Sequence, residues 1–278
     1  MIVDAHVHIC PPEVRRDRRP FLEGEPEFSG IYEDPRAELI GASDLLTAMD
    51  EQGVDRAVVF SFPWRKEANY KLGNDYVLEA ASRHPDRLIP FCCLYPGSPG
   101  AEEEIRRCLD LGARGVGELA YYTRGLDEEA RQDLSGIAAI CEEADCPLLL
   151  HTNEPVGHIY PGKTPMELGQ LYALLRQSPR TRWILAHAGG GLPFYALMKK
   201  EVEEVLAGCL FDTAALPFLY KPEGLLAMCR AAGTEKFVLG TDYPLLPPRR
   251  YYRLLQASGL SRQEQEMILG GNMERALW

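Results

Sequence analysis

The 278-residue chain is short of positive charge. It carries 30 Lys and Arg against 41 Asp and Glu, a formal charge of −11. That excess argues against a nucleic-acid or anionic-membrane surface, since neither phosphate nor acidic lipid is drawn to it. No apolar run reaches the length of a membrane-spanning helix, and the N-terminus lacks a basic segment followed by an apolar one. The expected location is therefore cytoplasmic. No CxxC pair occurs among the eight cysteines. Cys92 and Cys93 are adjacent inside an apolar run, and Cys108, Cys141 and Cys229 lie in helical patterns. This spacing excludes a disulfide framework and suggests reduced, buried small side chains, Cys10 included. A GxGxxG stretch is also missing; Gly189-Gly-Gly191 follows an apolar run but has the wrong spacing. An open nucleotide-binding sheet loses its main signature.

What is present is alternation. Met1–Ile9 reads as a strand, followed by a Pro- and charge-rich stretch, residues 10–42, without periodicity, expected as a long loop or lid. Ser43 is placed to cap a helix over Asp44–Gln52 that Gly53 closes. Apolar runs at Arg56–Phe62, Leu88–Leu94, Gly115–Ala120, Pro147–Thr152, Arg182–Ala188, Cys209–Ala214 and Lys236–Pro244 then read as buried strands. Helical patterns separate them, at Asn69–His84, Ala101–Leu111, Asp127–Ala144, Met166–Gln177, Pro193–Leu206 and Pro222–Ala232. Arg249–Ala257 and Arg262–Trp278 close the chain. Eight strands alternating with helices, with no break in composition, predict an α/β fold: a single (β/α)8 TIM barrel spanning residues 1–278.

Active sites of such barrels collect at the C-terminal ends of the strands. The polar residues predicted there are His6 and His8 on the first strand, Glu118 on the fourth, His151 on the fifth, His187 on the sixth and Asp242 on the eighth. His6 and His8, two apart in a strand, share a face. Only six histidines exist in the chain, and four of them fall at predicted strand ends. Singly, each has a plainer reading: a hydrogen-bonded core histidine, a carboxylate paired with Arg114, an Asp capping a helix. Jointly they point to a divalent metal, Zn²⁺ first, with Mn²⁺, Fe²⁺ or Co²⁺ also suited to imidazole and carboxylate donors.

With those residues in view, the chain resembles the amidohydrolase superfamily, in particular the branch containing aminocarboxymuconate-semialdehyde decarboxylase. The matching pieces are Asp4-Ala-His-Val-His8, Leu150-His-Thr152, Ala186-His-Ala-Gly-Gly190, Gly240-Thr-Asp-Tyr-Pro244 and the closing Ile268-Leu-Gly-Gly-Asn-Met273. The resemblance implies that His6, His8, His151 and Asp242 ligate the metal and that His187 acts close beside it. Glu118 stands where many binuclear relatives place a bridging carboxylated Lys. It therefore implies either a second ion shared with His151 and His187, or a Glu that orients a ligand histidine.

Two reactions fit such a centre. The expected one is hydrolysis of an amide, ester or lactone of a small molecule: water activated by the metal attacks the carbonyl, Asp242 moves its proton, and His187 steadies the oxyanion. The alternative is non-oxidative decarboxylation of a small aromatic or unsaturated acid. That chemistry asks for a cation to hold the carboxylate, and Arg65 and Arg124, just beyond strand ends, are the candidates. Trp64, Tyr122, Asn153 and His158 are further candidates for contact with substrate, among aromatic neighbours such as Tyr95 and Tyr121. A metal-binding scaffold without activity is a third reading. A homodimer is a possible assembly, with the tail Ala276-Leu-Trp278 packing at an interface or on its own barrel.

Overall fold

The computed structural model describes residues 1–277. Eight strands, β1 Val3–His8, β2 Arg56–Phe60, β3 Leu88–Cys92, β4 Gly115–Leu119, β5 Leu148–Leu150, β6 Trp183–Leu185, β7 Cys209–Asp212 and β8 Phe237–Val238, run parallel in sequence order. Backbone bonds then join the last strand to the first. Ala5 N–H donates to Leu239 O (2.7 Å), Asp242 N–H to His6 O (2.9 Å) and His8 N–H to Tyr243 O (3.1 Å). The result is the (β/α)8 barrel expected from the alternation.

Local sequence explains the outer ring of helices. In Glu128–Glu143, Asp127 caps the start by accepting from Ala130 N–H (2.9 Å), and Glu128 and Glu129 suit the positive end of the dipole. Ala130, Leu134, Ile137 and Cys141 recur at helical spacing and are buried against the sheet. Inside the barrel, Val58, Phe60, Ile89, Phe91, Leu149, Ile184 and Val238 belong to one buried cluster. All eight cysteines are buried and unpaired.

Several expected boundaries move. Residues 10–42 are not a plain loop. They form short helices at Pro12–Arg16 and Pro26–Tyr32 with a 3-10 turn, Arg19–Phe21, between them, each with proline in its first turn. Gly41, not Ser43, caps the helix Ala42–Gln52; the Asp44 carboxylate accepts from Gly41 N–H at 2.8 Å and leaves Ser43 inside the first turn. The helix expected over Pro193–Leu206 is a 3-10 segment, Leu192–Leu197, and a separate helix, Lys200–Val205. The closing helix is interrupted by a π turn at Met267–Gly271. Trp278, and with it part of the expected tail packing, lies outside the described residues.

The sixth strand is also shorter than its apolar run. It ends at Leu185, and the chain turns through Ala186–Gly189 with His187 (φ 55°) and Ala188 (φ 55°) in the left-handed region. Gly190 (φ 62°) completes the turn. A Cβ there would lie 2.3 Å from Asn153 O, so only glycine lets this loop press on the one after β5. The glycine triplet is thus a packing device and not a phosphate loop.

Candidate metal centre

Strand register carries the key side chains to one place. His6 and His8 point into the barrel from β1, their rings 5.4 Å apart, and both lie edge-on to Phe60 of β2. Glu118 follows Gly117 in β4. Gly117 has φ 128°, and a Cβ on it would sit 2.2 Å from Leu149 O, so glycine is needed for β4 to run this close to β5 and present the next side chain. His151 continues β5, its N–H donating to Leu119 O at 2.8 Å. His187 rides the left-handed turn after β6, and Asp242 (φ 55°) follows β8.

The donor atoms form two groups that share Glu118: His6, His8 and Glu118, and Glu118, His151 and His187. In the first group Glu118 Oε2 lies 3.6 Å from His6 Nε2 and 3.5 Å from His8 Nε2. Asp242 Oδ1 lies 3.6 and 3.4 Å from the same two nitrogens. These separations are long for hydrogen bonds. They match the edge of a tetrahedron of donors around one ion, about 3.4 Å for metal–ligand distances of about 2.1 Å. In the second group His151 Nδ1 donates to Glu118 Oε1 at 2.9 Å, and His187 Nε2 lies 3.6 Å from that oxygen.

The far nitrogens fix which lone pairs face the centre. His8 Nδ1 donates to Ser61 O (2.9 Å) and His187 Nδ1 to Ala214 O (3.0 Å); a carbonyl only accepts, so each Nδ1 carries hydrogen. His6 Nδ1 donates to Asp212 Oδ2 at 2.8 Å. Such bonds leave Nε2 as the free donor, the disposition typical of metal-ligating histidines. His6 Nε2 and His151 Nε2 are buried without any hydrogen-bond partner. A buried polar atom left unpaired is costly unless something occupies the space it faces. The residues present therefore fit a divalent cation.

Electrostatics agree. Burial disfavours charge on His6, yet Glu118, Asp212 and Asp242 outweigh it and hold the ring well above the usual imidazole range. His8 is likewise raised, to about 9, by Asp242 and Glu118 against burial, and His187 is raised by Glu118 and Asp242. Burial opposes ionisation of Glu118 too, but His6 and His151 carry it well below the usual carboxylate range, and His6 and His8 lower Asp242. Protons and metal ions compete for such a pocket, which asks for positive charge. Below it, burial pushes Asp4 up to about 7, while Thr241 Oγ1 donates to it at 2.5 Å and ties β1 to the segment after β8.

The residues proposed for substrate contact fare differently. Tyr122 reaches the cluster: its hydroxyl is 3.5 Å from Glu118 Oε2, and its ring meets His151 (4.7 Å) and Phe62 (6.0 Å). Trp64 is buried and packs on Phe28 (4.3 Å) and Phe62 (5.5 Å) as a wall behind the mouth. Arg65 and Arg124 are engaged elsewhere. Arg65 grips the buried Glu27 carboxylate with two nitrogens (2.6 and 2.5 Å) and lies over the Tyr95 ring, and Arg124 pairs with Asp127 and Glu129 (2.7 and 2.8 Å). Neither guanidinium is free to meet a substrate carboxylate, because nearer carboxylates already satisfy it. Asn153 braces its own loop, accepting from Thr164 N–H and Oγ1 at 2.8 and 2.9 Å. His158 is exposed beside Tyr160. Asp212, which the sequence reading passes over, is fully buried and touches His6; a carboxylate at the end of a predicted apolar strand was the available signal.

Solved structures with this architecture include several decarboxylases. 5-Carboxyvanillate decarboxylase LigW of Sphingomonas paucimobilis is 16% identical, with a TM-score of 0.75 over 99% of this chain and 98% of that one. 5-Carboxyvanillate decarboxylase of Novosphingobium aromaticivorans, complexed with manganese and 4-hydroxy-3-methoxy-5-nitrobenzoic acid, is 18% identical, with a TM-score of 0.75 over 100% and 96%. Dihydroxybenzoic acid decarboxylase of Polaromonas sp. JS666, with bound manganese and the inhibitor 2-nitroresorcinol, is 15% identical, with a TM-score of 0.69 over 99% and 96%. The expected hydrolase of amides, esters or lactones is corrected by this set, whose members remove carboxylate from aromatic acids. No curated protein matches the chain significantly by sequence. The amidohydrolase family matches residues 3–277, and the chain belongs to it.

Proposed function

We propose that the chain is a metal-dependent, non-oxidative decarboxylase of a small aromatic or unsaturated carboxylic acid. The observation that carries this reading is the convergence of His6 Nε2, His8 Nε2, Glu118 Oε2 and Asp242 Oδ1 at 3.4–3.6 Å spacing, at the open end of the barrel. The decarboxylases of the same architecture support the choice of reaction. These four residues would hold the ion together with His151, whose Nε2 is buried without a partner; Zn²⁺ and Mn²⁺ both suit the donors. When bound, it supplies positive charge for the substrate carboxylate, the role that Arg65 and Arg124 are not placed to fill.

The chain's own residues supply the rest. Phe62 and Tyr122, with Tyr32 from the 10–42 segment (5.6 Å from the Phe62 ring), form an aromatic wall for a planar acid. That segment acts as a fixed side of the pocket, since Glu25 accepts from Arg65 N–H (2.7 Å) and Lys66 N–H (2.9 Å) and Glu27 holds Arg65. In the reaction the bond from ring carbon to carboxylate breaks, its electron pair stays on the carbon, CO₂ leaves and one proton takes its place. Asp242 is the residue to relay that proton: against burial, His6 and His8 hold it as the carboxylate, so it takes a proton from water and passes it to the carbon. At 18% exposure, against 10% for His8 and 2% for Glu118, its side chain is the most open of the cluster to water and ligand. His187 faces Glu118 and His151 through Nε2 and holds their geometry.

A second ion is the other reading of Glu118, because its Oε2 faces His6 and His8 while its Oε1 faces His151 and His187. Elemental analysis of protein purified without added metal or chelator counts the ions. One per chain is expected if the donors form a single set around one ion, and two per chain would make Glu118 a bridge between the two groups. For the reaction, the metal-loaded protein is incubated in D₂O with a panel of hydroxybenzoic acids. CO₂ release with one deuterium on the vacated carbon is expected. Hydrolysis of aryl esters or lactones without any CO₂ from the acids would overturn the reading.

A further inference from the structure

One carboxylate at the end of β7, Asp212, touches both halves of the site. Its Oδ2 accepts from His6 Nδ1 at 2.8 Å, and neither side chain is exposed at all. Its Oδ1 accepts from His187 N–H at 2.8 Å and from Ala214 N–H at 2.9 Å. The second of those bonds sets the segment whose Ala214 carbonyl accepts from His187 Nδ1 at 3.0 Å. His187 is thus tied by its backbone to Asp212 and by its ring to a residue that Asp212 also holds. The turn needs such support, because His187 and Ala188 both stand at φ 55°, a conformation that side chains with a Cβ resist by roughly 1–2 kcal/mol each.

Resting on the metal-centre reading, we propose that Asp212 is the positioning residue of this site: Oδ2 fixes the His6 ring in its Nδ1–H form, and Oδ1 pins the left-handed turn that carries His187, so that both Nε2 lone pairs face Glu118. His6 Nε2 has no partner of its own in the protein. Its lone pair is available to an ion only while the hydrogen is kept on Nδ1, and Asp212 is what keeps it there. His187 Nε2 lies 3.6 Å from Glu118 Oε1 by the same device.

Asp212→Asn separates this role from bulk. The amide has one acceptor oxygen and one donor nitrogen. Two backbone N–H groups compete for the oxygen against one ring nitrogen, so the oxygen stays toward His187 and Ala214 and the NH₂ faces His6 Nδ1. The ring must then accept at Nδ1 and carry its hydrogen on Nε2, pointing a donor where the ion would bind. Loss of such a supporting bond lowers metal affinity by about 10- to 100-fold.

The experiment measures Zn²⁺ affinity of the full chain by competition with a chromophoric chelator, together with imidazole NMR of the ¹⁵N-labelled, Zn²⁺-loaded protein. Wild type should bind Zn²⁺ and show a slowly exchanging, downfield Nδ1 proton on His6. Asp212→Asn should melt near the wild-type temperature, bind Zn²⁺ about 10- to 100-fold more weakly and lose that proton. A merely structural carboxylate would lower the melting temperature without changing the ring's hydrogen. Equal affinities with the Nδ1 proton retained overturn the role of Asp212 and leave the metal centre standing. A wild type that takes up no Zn²⁺ overturns the metal centre and this proposal with it. Should the variant fail to fold, the wild-type spectrum decides: Nδ1–H on His6 supports the proposal and Nε2–H overturns it.

Discussion

Residues at the ends of the strands and residues a few positions further along, in the loops, have opposite fates in this molecule. His6, His8, Glu118, His151 and Asp242 all turn inward and meet within one pocket. Arg65, Arg124, Asn153 and His158 lie only a few residues beyond β2, β4 and β5, yet none joins them. The difference is the backbone ladder. A strand end inherits the register of its neighbours, so the side-chain direction is set by pairing, as where His151 N–H bonds to Leu119 O. Past the ladder the Tyr122 ring still reaches the cluster, but a charged side chain goes to the nearest partner of opposite charge or to solvent, and for the arginines that partner is Glu27 or Asp127 and Glu129.

The contrast breaks most sharply at Asp242. Asp242→Asn should lower turnover by about 10²- to 10⁴-fold, the range of a lost general acid, while some metal remains bound by His6, His8 and Glu118. Retention of full turnover would remove Asp242 from proton transfer. Glu118→Gln comes next. It should weaken metal binding by about 10- to 100-fold through loss of a charged donor and leave at most one ion per chain, read by elemental analysis. If wild type holds two ions and the variant one, Glu118 is a bridge and the single-ion reading fails.

Removing the metal should reverse the sign of one pH effect. His8 is raised in the metal-free protein from the ordinary 6.5 to about 9, with His6 and His187 shifted the same way. A base whose folded pKa is raised lends stability that is complete below 6.5 and is lost as the pH rises through about 9. Chelated protein should therefore melt progressively lower between pH 6.5 and 9. Zn²⁺-loaded protein should hold or gain stability over the same range, because deprotonated imidazoles bind the ion better. Chelated protein that melts higher at pH 9 than at pH 6.5 would show that the carboxylates do not set the charge of this cluster.

This explains how far the sequence could be read. The barrel was legible because each strand is a short apolar run bounded by a helix, and the histidines because strand ends share one face. His187 was legible by motif but not by conformation: Trp183–Ala186 is apolar throughout, and nothing in it announces that the strand stops at Leu185 and the backbone turns left-handed. Asp212 was hidden for a related reason, since its importance lies in accepting from His6, 206 positions away. The 10–42 segment lacked periodicity because its helices are too short to show one. Each is started by proline and tied by long-range polar bonds, Arg15 to Asp44 and Glu25 to Arg65 N–H, rather than by an amphipathic stripe of its own. Loop partners such as Glu27 for Arg65 are long-range choices that no local pattern encodes.

The smaller effects fall on the loop residues, and they divide by what each one touches. Arg65→Ala leaves the buried Glu27 carboxylate with Thr123 Oγ1 alone, at 3.1 Å, and should lower stability by about 1–3 kcal/mol, discounted because the guanidinium is one-third exposed. Its effect should appear in the melting temperature and in KM, through the aromatic wall that the 10–42 segment completes, with metal affinity unchanged. A fall in metal affinity comparable to that of Glu118→Gln would mean that the loops help to build the centre, and the division between strand ends and loops would not hold. His158→Ala is the limiting case. The ring is exposed and meets the Tyr160 ring at 5.8 Å, and the His158 carbonyl, which the substitution keeps, accepts from Lys163. Stability should stay within about 0.5 kcal/mol of wild type and both metal content and turnover should be unchanged. A loss of turnover there would require the loop after β5 to fold over the mouth when substrate binds, so that a side chain remote from the pocket in this structure enters it during the reaction.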